Sequence, residues 1–195
     1  DGFKKRGTYQ PGALSDTGYI LLSFWDPHRG QSIVQMMRIR DQKVLHEWTP
    51  NLAQLSLLID ENINEFRYRI LHPLLTEDGG LVFSGQTRTL VKISADSSID
   101  WALKGNFHHA KEQDADGNLW VSGLKDTTRF GHYERMLGQK RYHDETIVKV
   151  SPGGKILSEK SITEILLENG YRGLIFGVQR YEPDLLHLND IEPAL

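Results

Sequence analysis

Apolar positions in this chain recur in short alternating runs separated by turn residues, which is the period of half-buried strands rather than of helices. Gly79-Gly80-Leu81-Val82-Phe83-Ser84-Gly85 aligns without a gap on Gly117-Asn118-Leu119-Trp120-Val121-Ser122-Gly123, and Gly18-Tyr19-Ile20-Leu21-Leu22-Ser23 is a third copy. Asp78 and Asp116 precede two of the three glycines. Asp-Gly between apolar strands predicts a tight turn, because glycine accepts the positive φ such turns require. A second element follows each copy. Leu90-Val91-Lys92-Ile93-Ser94 matches Ile147-Val148-Lys149-Val150-Ser151, and a further strand opens after each, at Ser98-Ile99 and Lys155-Ile156. Met36-Met37-Arg38-Ile39-Arg40, then Lys43-Val44-Leu45, is the first version.

Each unit therefore reads as four antiparallel strands, the blade of a β-propeller. The plainer alternative is an open meander or sandwich whose turns coincide. The all-β propeller reading makes residues 18–160 successive blades, with Trp101 and Trp120 packed between them. Each inner strand lines a central channel: Arg69 to His72, His108 to Glu112, and His187 to Glu192. That amounts to about three blades and the first strand of a fourth, so residues 1–195 are expected to form a partial propeller domain.

Inserts account for the uneven spacing of the repeats. Leu52, Leu55, Ile59, Ile63 and Phe66 share one helical face and predict a helical insert near 52–66. Ser161 and Glu164 form a capping-box pattern ahead of Ile162, Ile165 and Leu166, with Asn169-Gly170 as the stop, which predicts a second over 161–169. Residues 124–144 are polar and rich in Arg, Lys and His, as expected of a loop between two strands of one blade.

Composition narrows the function classes. The chain has 195 residues, no cysteine, a formal net charge of −3 and a pI near 6.3. Disulfides, thiolate catalysis and zinc-thiolate centres are excluded. No strong positive field serves nucleic acid or an anionic membrane surface. No apolar run approaches the ~20 residues of a membrane-spanning helix.

The candidate chemistry lies in histidine. His72, His108–His109 and His187 stand at or near the start of three successive inner strands. Converging imidazoles would make a polar channel mouth; the plainer reading makes each a structural residue bonded to a neighbouring carbonyl. Strand alternation admits one of His108 and His109 to the channel, and we expect His109, on the face of Lys111 and met by His187 from the next blade. A metal reading would add Glu112 and Glu192, but we expect no metal and no cofactor. Arg69, at the head of its inner strand, is a candidate substrate-binding residue. The loop with Arg129, His132, Arg135, Lys140, Arg141 and His143 could attract an anion or be a solvated insertion. His28 suits a turn and His46 a structural place on an outer strand. No Gly-x-Ser-x-Gly elbow and no phosphate-binding glycine loop occurs.

Several of these segments carry a family resemblance. They are Val44-Leu45-His46-Glu47-Trp48, Arg67 to Leu75 with Asp78-Gly79-Gly80 behind it, Phe107-His108-His109, Asp116 to Val121, and His187-Leu188-Asn189-Asp190-Ile191-Glu192. From about Gly18 onward the chain resembles the bacterial arylsulfotransferases, which do not use a nucleotide sulfate donor. The resemblance implies a six-bladed propeller in the full-length protein. It also implies transfer of a sulfuryl group from a phenolic sulfate ester to a phenol by a ping-pong route through a sulfohistidine. Carried over, the His-His motif falls on His108 and His109 and the His-x-Asn motif on His187 and Asn189, all as binders of sulfuryl oxygens. The family's arginine and nucleophilic histidine come in later blades, and nothing here matches them. Ala110 departs from the Asp or Ser that many relatives carry after the histidine pair. The implied partners are a small aryl sulfate and a phenolic acceptor, with no nucleic acid; a homo-oligomer is compatible, and a periplasmic or secreted place fits the family. The competing reading is a non-enzymatic propeller that binds a ligand or protein on its channel face.

Overall fold

The computed structural model describes residues 17–127, 142–176 and 185–193. The chain is all-β in character, built of antiparallel sheets in which each strand pairs with its neighbour in sequence. The first sheet has three strands among the described residues, one fewer than expected of each unit, because α1 follows β3 where a fourth strand was expected: β1 (Tyr19–Asp26), β2 (Gln31–Arg38) and β3 (Val44–Trp48). The second has four: β4 (Leu71–Leu75), β5 (Leu81–Ser84), β6 (Leu90–Ile93) and β7 (Ile99–Leu103). The third has four: β8 (Phe107–Gln113), β9 (Leu119–Thr127), β10 (Tyr142–Val150) and β11 (Ile156–Ser161). Among the described residues three helices accompany them: α1 (Leu52–Ile59), α2 (Ile162–Glu168) and α3 (Arg172–Phe176).

The expected turns are present. Gly79 and Gly117 adopt φ of 79° and 80°. In each turn the two ends close with Thr76 N–H on Gly80 O at 3.0 Å and Asp114 N–H on Asn118 O at 2.9 Å. The ladders make Ser23, Ser84 and Ser122 equivalent, opposite Val34, Leu90 and Ile147. They shift one alignment by two residues. Met36 corresponds to Lys92, not to Leu90, since each sits just before the bulge in its pairing with the next strand. Such a slip is invisible to a gapless comparison.

Both faces of β5 are buried, so it reads as an unbroken apolar run. Leu81, Phe83, Val91 and Ile93 pack toward the first sheet with Val34, Trp48 and α1. Val82 and Leu90 pack toward the third with Phe107, Leu119, Val121, Val148 and Val150. Trp101 joins this second layer and donates its indole N–H to Pro152 O at 2.9 Å, as expected of a residue between sheets. Trp120, by contrast, lies on the opposite face of the third sheet, where it donates to Asp114 and carries Lys149 over its ring.

Three boundaries differ from expectation. α1 stops at Ile59 rather than running to Phe66, because Asp60 turns left-handed at φ 50° and closes the helix end. Ile63 is still buried, but from a loop. α2 forms as expected, with Ser161 accepting from Glu164 N–H. The segment 124–144 is not all loop: β9 runs to Thr127 and β10 starts at Tyr142, and residues 128–141, with Arg129, His132, Arg135, Lys140 and Arg141, lie outside the described residues. Residues 186–193 carry no strand pairing, so the inner strand expected at His187–Glu192 is not seen among the described residues.

Candidate functional site: an imidazole cluster at the head of two edge strands

β4 and β8 lie side by side, each at the edge of its sheet, and the ladder of each is interrupted near its N-terminal end. The β4 ladder slips between Leu71 and Leu74, and the β8 ladder between His108 and Lys111. Leu71 and His108 pair with the equivalent serines Ser84 and Ser122, and the next residue in each strand is a histidine in the left-handed region, His72 at φ 46° and His109 at φ 53°. A non-glycine residue held there is uncommon, although histidine is among the types enriched. The bulge ends the alternation expected from a regular strand. His108 and His109 are therefore not sent to opposite faces: their ring centroids are 4.8 Å apart.

Four imidazoles gather at this end of the sheets. His109 is 5.6 Å from His72 and 4.8 Å from His187 between ring centroids, and His108 is 6.0 Å from His187. The Nε2 atoms of His109 and His187 are 2.8 Å apart, so one must carry the proton and the other accept it. Two imidazolium rings cannot share that contact. Burial, then the charges of His108, His187 and His72, hold His109 below the usual imidazole range, against a small opposing pull from Glu145. Burial, then the ammonium of Lys111, does the same to His72.

Two residues beneath the rings were not singled out as site residues by the sequence. Glu145 on β10 is buried, and its Oε2 lies 3.1 Å from His108 Nε2. That is an ion-pair distance without hydrogen-bond alignment, and neither atom has another hydrogen-bonding partner. An acidic residue inside the strand Asp144-Glu145-Thr146-Ile147-Val148 was the available signal. The other is Lys111, 3% exposed, which donates to Ser84 Oγ at 3.0 Å and to His109 O at 2.6 Å. Burial alone brings its ammonium down to about 7. Ser122 Oγ donates to His108 O and so braces the residue before the bulge.

The remaining candidates fall at the margin. Asn189 Nδ2 donates to His187 O at 3.3 Å, a contact that steadies the segment carrying His187. Arg69 stacks its guanidinium 4.3 Å from the centre of the Trp25 ring and donates to Phe66 O and Tyr68 O. None of its hydrogen bonds or ring contacts reaches an imidazole. Glu112 is held above the usual carboxylate range by burial, then by the charges of Asp190 and Glu192. No group of three or more His, Asp and Glu among the described residues could hold a metal ion. His28 lies in the turn expected of it, its N–H bonded to Asp26 Oδ1 at 2.9 Å. His46 is structural as expected, with Nε2 on Ala95 O at 2.7 Å.

Comparison with known proteins adds little to this geometry. No protein-family model matches the chain, and no curated protein matches it. Among solved structures it is similar to a protein of unknown function from Bacteroides caccae, at 15% identity and a TM-score of 0.45. The match covers 73% of this chain and 40% of that one, so the chain spans well under half the length of that protein.

No helix among the described residues is long and apolar enough to cross a membrane.

Proposed function

We propose that the three sheets are blades of a β-propeller and that the imidazole cluster is its channel mouth, binding the sulfuryl group of an aryl sulfate. The observation that carries this is the convergence of His72 from β4, His108 and His109 from β8, and His187 from the C-terminal segment on one point, with His72 and His109 on matched left-handed bulges. The arrangement suits an anionic tetrahedral group. Neutral imidazoles present N–H donors, and a buried cation behind them favours negative charge in front. The shared contact of His109 and His187 would open to admit two oxygens, one for each ring. Sheet order supports the propeller reading: each sheet is a sequential meander, and the edge strands β4 and β8 lie against each other.

In the complete ring the site serves transfer between phenols. A histidine nitrogen attacks sulfur, the S–O bond to the aryl group breaks, and the phenolate leaves with that electron pair. A second phenol, its proton passing through solvent to the released phenolate, then displaces the histidine from sulfur and restores the free imidazole. Nothing in this chain matches the attacking histidine of the resembled family, so the four imidazoles here are assigned to binding the sulfuryl oxygens.

The test is a titration of the 195-residue chain with p-nitrophenyl sulfate, followed by the ring resonances of its histidines. The reading expects shifts at His72, His108, His109 and His187, and loss of binding in His109→Ala. Binding with no change at those rings, or no binding at all, removes it. Binding in a complete protein that shows no transfer to phenol would leave a non-enzymatic binding propeller.

A further inference from the structure

Lys111 is the least expected residue in the interior. Its side chain lies between the second and third sheets, 3% exposed, and its hydrogen-bond acceptors are a hydroxyl and a backbone carbonyl, not a carboxylate. A buried amine without a counter-ion is costly, and an apolar side chain of the same length would fill the space without that penalty. What the amine does is visible in its two acceptors. Ser84 belongs to β5 in the second sheet, and His109 O belongs to the bulge of β8 in the third.

The other junction between sheets shows the contrast. There Ser23, the equivalent of Ser84, donates directly to Ile70 O, on the chain leading into β4, at 2.7 Å. At the second junction the serine does not reach a carbonyl of the next edge strand itself. The Lys111 ammonium spans the gap and adds a positive charge beside His72.

We propose that Lys111 is a positioning residue for the imidazole cluster: it ties the left-handed bulge at His109 to Ser84 of the neighbouring sheet and sets a cation behind His72 and His109. This rests on reading the cluster as the working site, but not on sulfuryl chemistry. The charged and titratable groups around it come from every packed element: His72 on β4, His108 and Glu112 on β8, Glu145 on β10, and His187, Asp190 and Glu192 on the C-terminal segment. Of these, Glu145 faces His108, and Asp190 and Glu192 face Glu112, which leaves Lys111 as the cation behind His72.

The experiment uses the 195-residue chain and its Lys111→Met and Ser84→Ala variants, reading the ring resonances of His72 and His109 between pH 5 and 8 by NMR. In Lys111→Met the His72 midpoint should move up, because the repelling ammonium is gone, and the His109 ring signals should shift as its bulge loses an anchor. In Ser84→Ala the cation stays but one tether is lost, so His109 should shift with little change in the His72 midpoint. A role in packing alone would lower melting temperature and leave both titrations in place; that result for a folded Lys111→Met overturns the proposal. If Lys111→Met does not fold, Ser84→Ala decides alone, and unshifted His109 signals there overturn it. Failure of p-nitrophenyl sulfate to bind the unmodified chain would remove the sulfuryl reading and leave these titrations unaffected.

Discussion

His46 and Trp101 occupy the same register position in successive sheets, opposite Met36 and Lys92, and each directs a ring nitrogen at the same turn carbonyl of the next sheet. His46 Nε2 meets Ala95 O at 2.7 Å and Trp101 Nε1 meets Pro152 O at 2.9 Å. Each ring faces a carbonyl oxygen, so each nitrogen donates. The repeat thus preserves a donor position rather than a residue type. In the third sheet Ser158 stands there, opposite Lys149.

Trp101→Phe keeps an aromatic ring over Gly154 and deletes the donor. We expect a loss of about 1 kcal/mol in urea unfolding, the usual net worth of one such bond. An unchanged midpoint would mean that the bond contributes nothing to holding the sheets together.

Gly85 closes the repeated segment because a methyl group there would run into the ring and hydroxyl of Tyr68, which is 1% exposed. Gly85→Ala should cost about 1–3 kcal/mol through overpacking. Truncating Tyr68 to Leu should recover part of that loss in the double variant, and a double-mutant cycle checks the coupling. Strict additivity would mean that Tyr68 is not the obstacle.

Stability should depend on pH through Lys111. Its folded-state value, about 7, is below the 10.5 of a free lysine. Between the two, the unfolded chain holds a proton that the folded chain has released, so stability rises with pH across that window, by an amount on the order of a few kcal/mol. Below the window both states are protonated and the penalty is complete. Tyr68 acts the other way above pH 10, since burial raises its phenol and only the unfolded chain ionises there. Denaturation at pH 7, 8, 9 and 10 should therefore show a rise that Lys111→Met flattens. Parallel curves for the two proteins would remove Lys111 as the cause.

His109→Ala and His187→Ala bear on the sulfuryl reading. In a protein that catalyses the transfer, each should lower turnover roughly a hundredfold or more, matching about 2.7–4 kcal/mol for one oriented donor. Melting temperature should change little. The opposite result, stability lost and rate kept in the folded fraction, would make both histidines structural.

The 195-residue chain on its own should show little or no transfer from p-nitrophenyl sulfate to phenol, measured by release of p-nitrophenolate. Rapid turnover would place the attacking nitrogen among His108, His109 and His187.

Much of the sheet arrangement was legible because it is written in local signals. Asp-Gly at 78–79 and 116–117 requires a positive φ, and the gapless repeat required equivalent strands, which the pairing of Ser23, Ser84 and Ser122 bears out. The end of α1 was missed because Leu52 to Phe66 keeps helical spacing while Asp60 breaks the backbone without a glycine. His109 does lie against His187, but it meets Lys111 through its backbone carbonyl, and the alternation that was to admit only one of His108 and His109 fails at the bulge. Glu145 was missed because its pairing with His108 crosses an intervening strand, β9, and no spacing along the chain encodes it.

The bulges at His72 and His109 separate what the edge strands present from how they pair. On a regular strand, exchanging an outward residue for an inward one means shifting every pair that follows. At these two positions the backbone has already left the ladder, so a side chain can change identity without disturbing a single rung. Asn, Asp and Gly share histidine's tolerance of the left-handed region. The two positions thus work as a pair of sockets on an unchanged frame, where new chemistry needs one codon rather than a new register.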